Sequence, residues 1–311
     1  MKKILLTTSA LTLLAGAAAA DVNLSGYGRI GISTTDGASS QYTRMNLDFS
    51  GSSTTDGGVT LTAKTRYRTT GSATGLFSGP QASISNGAMS LTVGNAAGAV
   101  AQTAGVWGCG TVMWGCHDLT DDGWASNWAT RSSGGAGPDV IRLDMALGGA
   151  SVSVSGGNGN DAELAVSMPM GGGTVGIGYD TDHDTAAVAA VAASADSVDA
   201  DGVYVPGAAA VAASAAVAKA AITQINYSGS VGGLGVGVKL MQQNAVNAYM
   251  ASVTAPAGGG SVYIFGGKQL DTSNNYGIRY NQSLGGGASM QVGATNAAGT
   301  TTIGAGVHFG F

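Results

Sequence analysis

The chain has 311 residues, among them 53 glycines and five prolines, with only 10% charged residues and a formal net charge of −5. A negative balance excludes a general nucleic-acid binder, which would present a basic surface. After residue 20 no apolar run is long and uninterrupted enough for a membrane-spanning helix, which excludes a helical membrane protein.

The first twenty residues read as a leader. Lys2 and Lys3 precede a mostly apolar core from Ile4 to Leu14, and Ala18, Ala19 and Ala20 supply the small residues a signal peptidase needs. The core is too short for an anchor. Residues 1–20 are therefore expected to be a cleaved signal peptide, leaving 21–311 as one exported unit with 11 basic against 18 acidic residues, a net charge near −7.

From Asp21 onward the pattern has period two. "DVNLSGYGRIGIS" sets Val22, Leu24, Ile30 and Ile32 against Asn23, Ser25, Tyr27 and Arg29. "YTRMNLDF" sets Met45, Leu47 and Phe49 against Tyr42, Arg44, Asn46 and Asp48. "GVTLTAKTRYRT" sets Val59, Leu61, Ala63 and Tyr67 against Thr60, Thr62, Lys64, Arg66 and Arg68. Such alternation predicts half-buried strands. Further strands are predicted at 81–86, 88–94, 139–147, 150–156, 161–168, 173–180, 219–228, 234–242, 247–254, 260–268, 276–284, 287–294 and 301–311, which makes 16 in all. Two of these are poorly patterned: 81–86, and 260–268, where Val262, Tyr263, Ile264 and Phe265 are apolar on both faces.

Glycine clusters at 148–149, 171–173, 232–233, 258–260 and 285–287 predict tight turns. Longer connections lie between them, above all 95–138 and 181–218. Short turns at one end and long loops at the other suit a closed transmembrane β-barrel. A soluble sandwich alternates in the same way. About 16 strands in a sandwich would normally divide into two domains, and no linker is present. The polar face also carries enough Arg, Lys, Asp, Asn and Ser to line a wet lumen. The expected fold is thus all-β: a transmembrane antiparallel barrel of 16 strands. Its last strand would close against the first, with Phe309 and Phe311 facing lipid.

Several pieces carry a family likeness. "DVNLSGYGRIGI" opens the exported chain, "RMNLDFSGSSTTDGG" forms the second strand and turn, and "YNQSLGGGASMQVG" and "GVHFGF" lie near the end. In this order they resemble the general outer-membrane porins of alphaproteobacteria, of the Rhodobacter/Paracoccus type. The resemblance implies a trimeric channel for ions and small hydrophilic solutes. It further implies that the loop at 95–138 folds inward as a constriction, its acidic residues facing basic residues on the opposite wall. Segment 181–218 matches only by position. The expected location is the bacterial outer membrane. The expected partners are outer-membrane lipid and lipopolysaccharide, the barrel-assembly machinery acting through the C-terminal Phe311, and further copies of the chain as a homotrimer.

The basic row can be read from parity. Arg29, Arg44, Lys64, Arg66 and Arg68 share the face opposite Leu24, Met45, Leu47, Leu61 and Tyr67. An Arg or Lys facing lipid at mid-depth costs roughly 2–4 kcal/mol, so the lumen is the expected place; those near strand ends could snorkel to headgroups instead. The acidic partners would be Asp118, Asp121 and Asp122 in "CHDLTDDGW", which either face the pore or stay solvated. The same loop holds all four tryptophans, Trp107, Trp114, Trp124 and Trp128, as a stacking track for sugars or aromatic solutes or as packing against the wall. It also holds both cysteines, Cys109 and Cys116. Export favours a disulfide between them; a metal half-site would need a second pair nearby.

Other signals are weaker. Asp180, Asp182 and Asp184 alternate as a calcium loop begins, but Thr185 and Val191 stand where Gly and Glu would be needed. They mark either a strand mouth or a surface Ca²⁺ site, and no other cofactor is expected. His117 lies beside Asp118 without a recognisable serine nucleophile, so no enzyme activity and no catalytic residue are expected; an outer-membrane hydrolase is the enzymatic alternative. The remaining alternatives are a solute-selective porin using the Trp-rich loop, and a closed structural or adhesive surface barrel.

Overall fold

The computed structural model describes residues 21–71, 73–103, 107–109, 116–118, 135, 137, 139–157, 162–181, 197–198, 204–205, 221–243, 245–269 and 273–311. In chain order its strands are β1 (Asp21–Thr35), β2 (Ala38–Thr54), β3 (Thr60–Thr70), β4 (Leu76–Phe77), β5 (Gln81–Ser85) and β6 (Met89–Asn95). A short helix, α1 (Ala99–Gln102), follows, then β7 (Trp107–Cys109) and β8 (Cys116–Asp118). The chain continues with β9 (Asp139–Leu147), β10 (Ala150–Gly157), β11 (Ala162–Met170), β12 (Gly173–Asp180), β13 (Ser197–Val198) and β14 (Tyr204–Val205). It ends with β15 (Ile222–Val231), β16 (Leu234–Gln243), β17 (Val246–Ala257), β18 (Gly260–Lys268), β19 (Asn274–Gly285), β20 (Ala288–Ala297) and β21 (Thr300–Gly310).

Sixteen of these are staves of one closed antiparallel barrel, each bonded to the next in sequence. β4 extends the β3–β5 pairing, with Tyr67 opposite Phe77. The pairs β7–β8 and β13–β14 stand apart from the wall as separate two-stranded ribbons. Closure runs from Tyr27 opposite Gly310 to Thr35 opposite Thr302, and Gly26 and Phe311 exchange both backbone hydrogen bonds. A sheet standing in lipid needs this closure, because an unpaired edge there has no water to bond.

Register carries parity around the wall. Leu24 opposite Phe49 and Gly28 opposite Met45 point outward, and Arg29 opposite Arg44 points inward. The outward side chains are left largely open: Val22, Leu24, Ile30 and Ile32 are 57–73% exposed. An apolar face this bare over a whole barrel is a lipid face. Tyr179, Tyr249 and Tyr276 mark one end of that face, and Tyr227, Tyr280, Phe309 and Phe311 the other, as two aromatic girdles.

The turns at the end holding both termini are the tight ones expected, with positive φ at Gly148–Gly149, Gly171–Gly172, Gly232–Gly233 and Gly258–Gly259. The opposite end departs from expectation. It carries the long connections after β6 and β12, but also two-residue hairpins at Asp36–Gly37 and Ala298–Gly299. The rim is therefore low over β1, β2, β20 and β21.

Candidate pore constriction

The chain leaves β6 at Asn95 and turns into the barrel. Ala96, Ala99 and Val100 are at most 1% exposed, which places them inside the lumen against the wall rather than above the rim. Side chains of the wall take hold of this segment. Ala99 N–H donates to Ser155 Oγ at 2.7 Å, and Val100 N–H to Glu163 Oε2 at 2.8 Å. Gln224 Nε2 donates to the Val100 carbonyl at 3.1 Å and to Thr103 Oγ1 at 2.6 Å. Arg142 donates to the Ala97 carbonyl and is itself held by Asp144 at 2.9 Å.

Apolar contact completes the attachment. Val100 belongs to one buried apolar cluster with Ile222, Met241, Ala248, Met250 and Phe265, all lumen-side residues of β15–β18 and all nearly inaccessible. These positions break the rule that apolar side chains face lipid, and the chain inside the lumen is the reason: α1 lies on β10–β12 and β7 runs beside β17–β19. Phe265 explains why 260–268 reads as apolar on both faces, since Ile264 faces lipid and Phe265 faces the covered lumen. On β12 the lumen-side positions under the helix are Gly176 and Gly178. A Cβ at Gly178 would stand 3.1 Å from Val100 Cγ1, so glycine lets the segment lie against the sheet.

The basic residues lie on the other side. β2 and β15 are eight staves apart in the circuit of sixteen, so β1–β3 stand across the lumen from the α1 anchorage. All five basic residues named from parity occupy inward positions. Arg29 faces Arg44 between β1 and β2, and Lys64 lies between Ser50 and Gln81. Arg68, a candidate for snorkelling, is instead half-buried and donates through Nε to Asn46 Oδ1 at 3.3 Å. Arg66 is bound to Asp48 by two bonds of 2.6 and 3.0 Å, so the row is less uniformly charged than its sequence suggests.

Parity directs His308 to the lumen near the mouth at the termini, and sequence reasoning gave it and several other wall residues no partner. His308 lies opposite Arg29, with its ring 5.1 Å from Tyr27. Arg279 on β19 sits 5.4 Å over the Tyr263 ring. Asn46, fully buried, donates to the Tyr27 hydroxyl at 2.8 Å. Parity would have found Arg142, Lys239 and Arg279; nothing in the local pattern marks the buried Glu163 as an anchor.

β7 and β8 pair so that Cys109 lies opposite Cys116 and Trp107 opposite Asp118, and β7 runs beside β17–β19. Trp114, Asp121, Asp122, Trp124 and Trp128 lie outside the described residues, as do Asp182 and Asp184. Asp180 is 1% exposed and faces Glu163 across β11 and β12. Among the described residues no group of three metal-ligating side chains is found.

A family model described as Gram-negative porin matches residues 7–302. Among solved structures, a mutant of the Rhodopseudomonas blastica porin superposes with a TM-score of 0.69 at 15% identity, covering 94% of this chain and 100% of that one. A triple mutant of the same porin gives 0.66 at 15% identity with the same coverage. No curated protein sequence matches the chain.

Proposed function

The chain belongs to the Gram-negative porin family, whose barrels are diffusion channels of the outer membrane, and we propose from this premise that it passes ions and small hydrophilic solutes through an eyelet between segment 96–103 and the arginine wall of β1–β3. The observation that carries this reading is the docking of 96–103 on β10–β12 and β15, half a circuit from Arg29 and Arg44. Solutes are sieved by a segment held by hydrogen bonds and apolar packing, and ordered by a field crossing the lumen from one wall.

Further features belong to the same reading. Residues 1–20 direct export and are removed, Cys109 and Cys116 form a disulfide that stiffens the loop, and three copies assemble in a membrane faced with lipopolysaccharide. Phe311 is the residue read by the assembly machinery. The channel performs no catalysis and needs no cofactor.

Folded protein in a planar lipid bilayer tests the channel: steady ohmic current in KCl is expected, with sugars entering liposomes up to a sharp size limit. Absence of current from folded barrels would leave a closed structural barrel in its place.

A further inference from the structure

Among the described residues the arginines of the lumen fall into two groups. Arg66 and Arg142 are ion-paired, with Asp48 and Asp144. Arg29, Arg44, Arg68 and Arg279 have no carboxylate within salt-bridge distance. Three of these four place the guanidinium carbon over a tyrosine ring: Arg29 is 4.8 Å from the Tyr27 centroid, Arg44 is 5.3 Å from that of Tyr42, and Arg279 is 5.4 Å from that of Tyr263.

Two of them are also direct neighbours. Arg29 and Arg44 are cross-strand partners, and His308 flanks Arg29 on its other side. Like charges directly opposite on a sheet destabilise it, so the rest of the wall holds this arrangement together, and a bound negative charge would stabilise it. Nε of Arg44 and of Arg279 are buried donors without a protein acceptor. A guanidinium resting on a tyrosine ring still has its in-plane donor fork, which matches a carboxylate, and one free face, which accepts a second ring.

We propose that the pore prefers anions, and that Tyr27, Arg29, Arg44 and His308 form a station in it for small aromatic carboxylates. This rests on the channel reading above. The carboxylate takes the donors shared by Arg29 and Arg44. The ring lies against a guanidinium face and the Tyr27–His308 pair, whose centroids are 5.1 Å apart. The charge of the chain as a whole, −5, does not decide selectivity. What a permeating ion meets within a Debye length of the eyelet does, about 10 Å at 0.1 M salt.

The test uses the full barrel in planar bilayers, with benzoate, cyclohexanecarboxylate and acetate as the added anions. Wild type is expected to favour chloride over potassium in a KCl gradient. Benzoate is expected to block the current in a concentration-dependent way, and more strongly than the other two. Arg29→Gln/Arg44→Gln removes two charges, each worth a factor of about two across several ångströms of screened water. The chloride preference should fall roughly fourfold and the benzoate block should vanish. Arg29→Lys/Arg44→Lys keeps the charge and removes the planar fork. It should retain the chloride preference while benzoate blocks about tenfold less tightly. Potassium preference in the wild type, or equal block by benzoate and cyclohexanecarboxylate, would overturn the proposal while leaving a channel. Folded barrels that carry no current would overturn the channel reading and this station with it.

Discussion

Val100 is the position where the inward segment is most exposed to challenge. Replacing it with Asp removes about 2 kcal/mol of apolar burial. The new carboxylate would enter the apolar cluster that includes Ile222 and Met241, at a site of 0% exposure. Glu163, already bonded to the Val100 amide, adds like-charge repulsion. An unpaired buried charge costs several kcal/mol more. Against this stand the wall's hydrogen bonds to 97–103, worth about 1 kcal/mol each. The perturbation matches or exceeds what holds the segment, and every 1.4 kcal/mol moves the docked population about tenfold. Val100→Asp should therefore show upward current flicker, a larger mean conductance and entry of larger sugars into liposomes. Val100→Ala, which loses only methyl groups, should keep the wild-type limit. Folded Val100→Asp barrels with unchanged noise and an unchanged sugar limit would refute the docking of 96–103 as the basis of the sieve.

Asp48→Asn frees Arg66 from its ion pair and adds one net positive charge to the wall; the chloride-to-potassium ratio should rise about twofold at 0.1 M salt, and a fall would contradict the inward placement of the pair. Ala298 holds a φ of 51° in a two-residue hairpin, a conformation in which a Cβ is strained. Ala298→Gly should raise the unfolding midpoint of the barrel, by about 0.5–1 kcal/mol in free energy. A lowered midpoint would remove the strain argument. If Cys109 and Cys116 are bridged, denatured and unreduced protein takes up no thiol reagent, and reduction before labelling makes both sites reactive. Labelling without reduction would exclude the bridge.

The staves were legible because an apolar/polar period of two survives wherever one face meets lipid and the other water. Segments such as 139–147, 173–180 and 260–268 coincide with β9, β12 and β18 to the residue. The tight turns were legible from paired glycines, and the inward direction of Arg29, Arg44 and Arg68 from parity alone. The low rim at Asp36–Gly37 and Ala298–Gly299 was not anticipated, since two-residue hairpins need little signal beyond one glycine. Parity also failed at Ile222, Met241, Met250 and Phe265. Their apolar character makes sense only when a segment more than 100 residues earlier folds over them. Glu163 and Gln224 likewise gain their role from that contact. Ion pairing was equally hidden: Arg66 and Arg68 are two residues apart on one strand, yet one meets Asp48 and the other Asn46. The sequence by itself determined a closed sheet with a lipid face and a polar lumen, because those follow from local alternation. Only the tertiary structure decided where the lumen narrows and which of its charges remain unpaired, because both depend on side chains brought together across the barrel from distant parts of the chain.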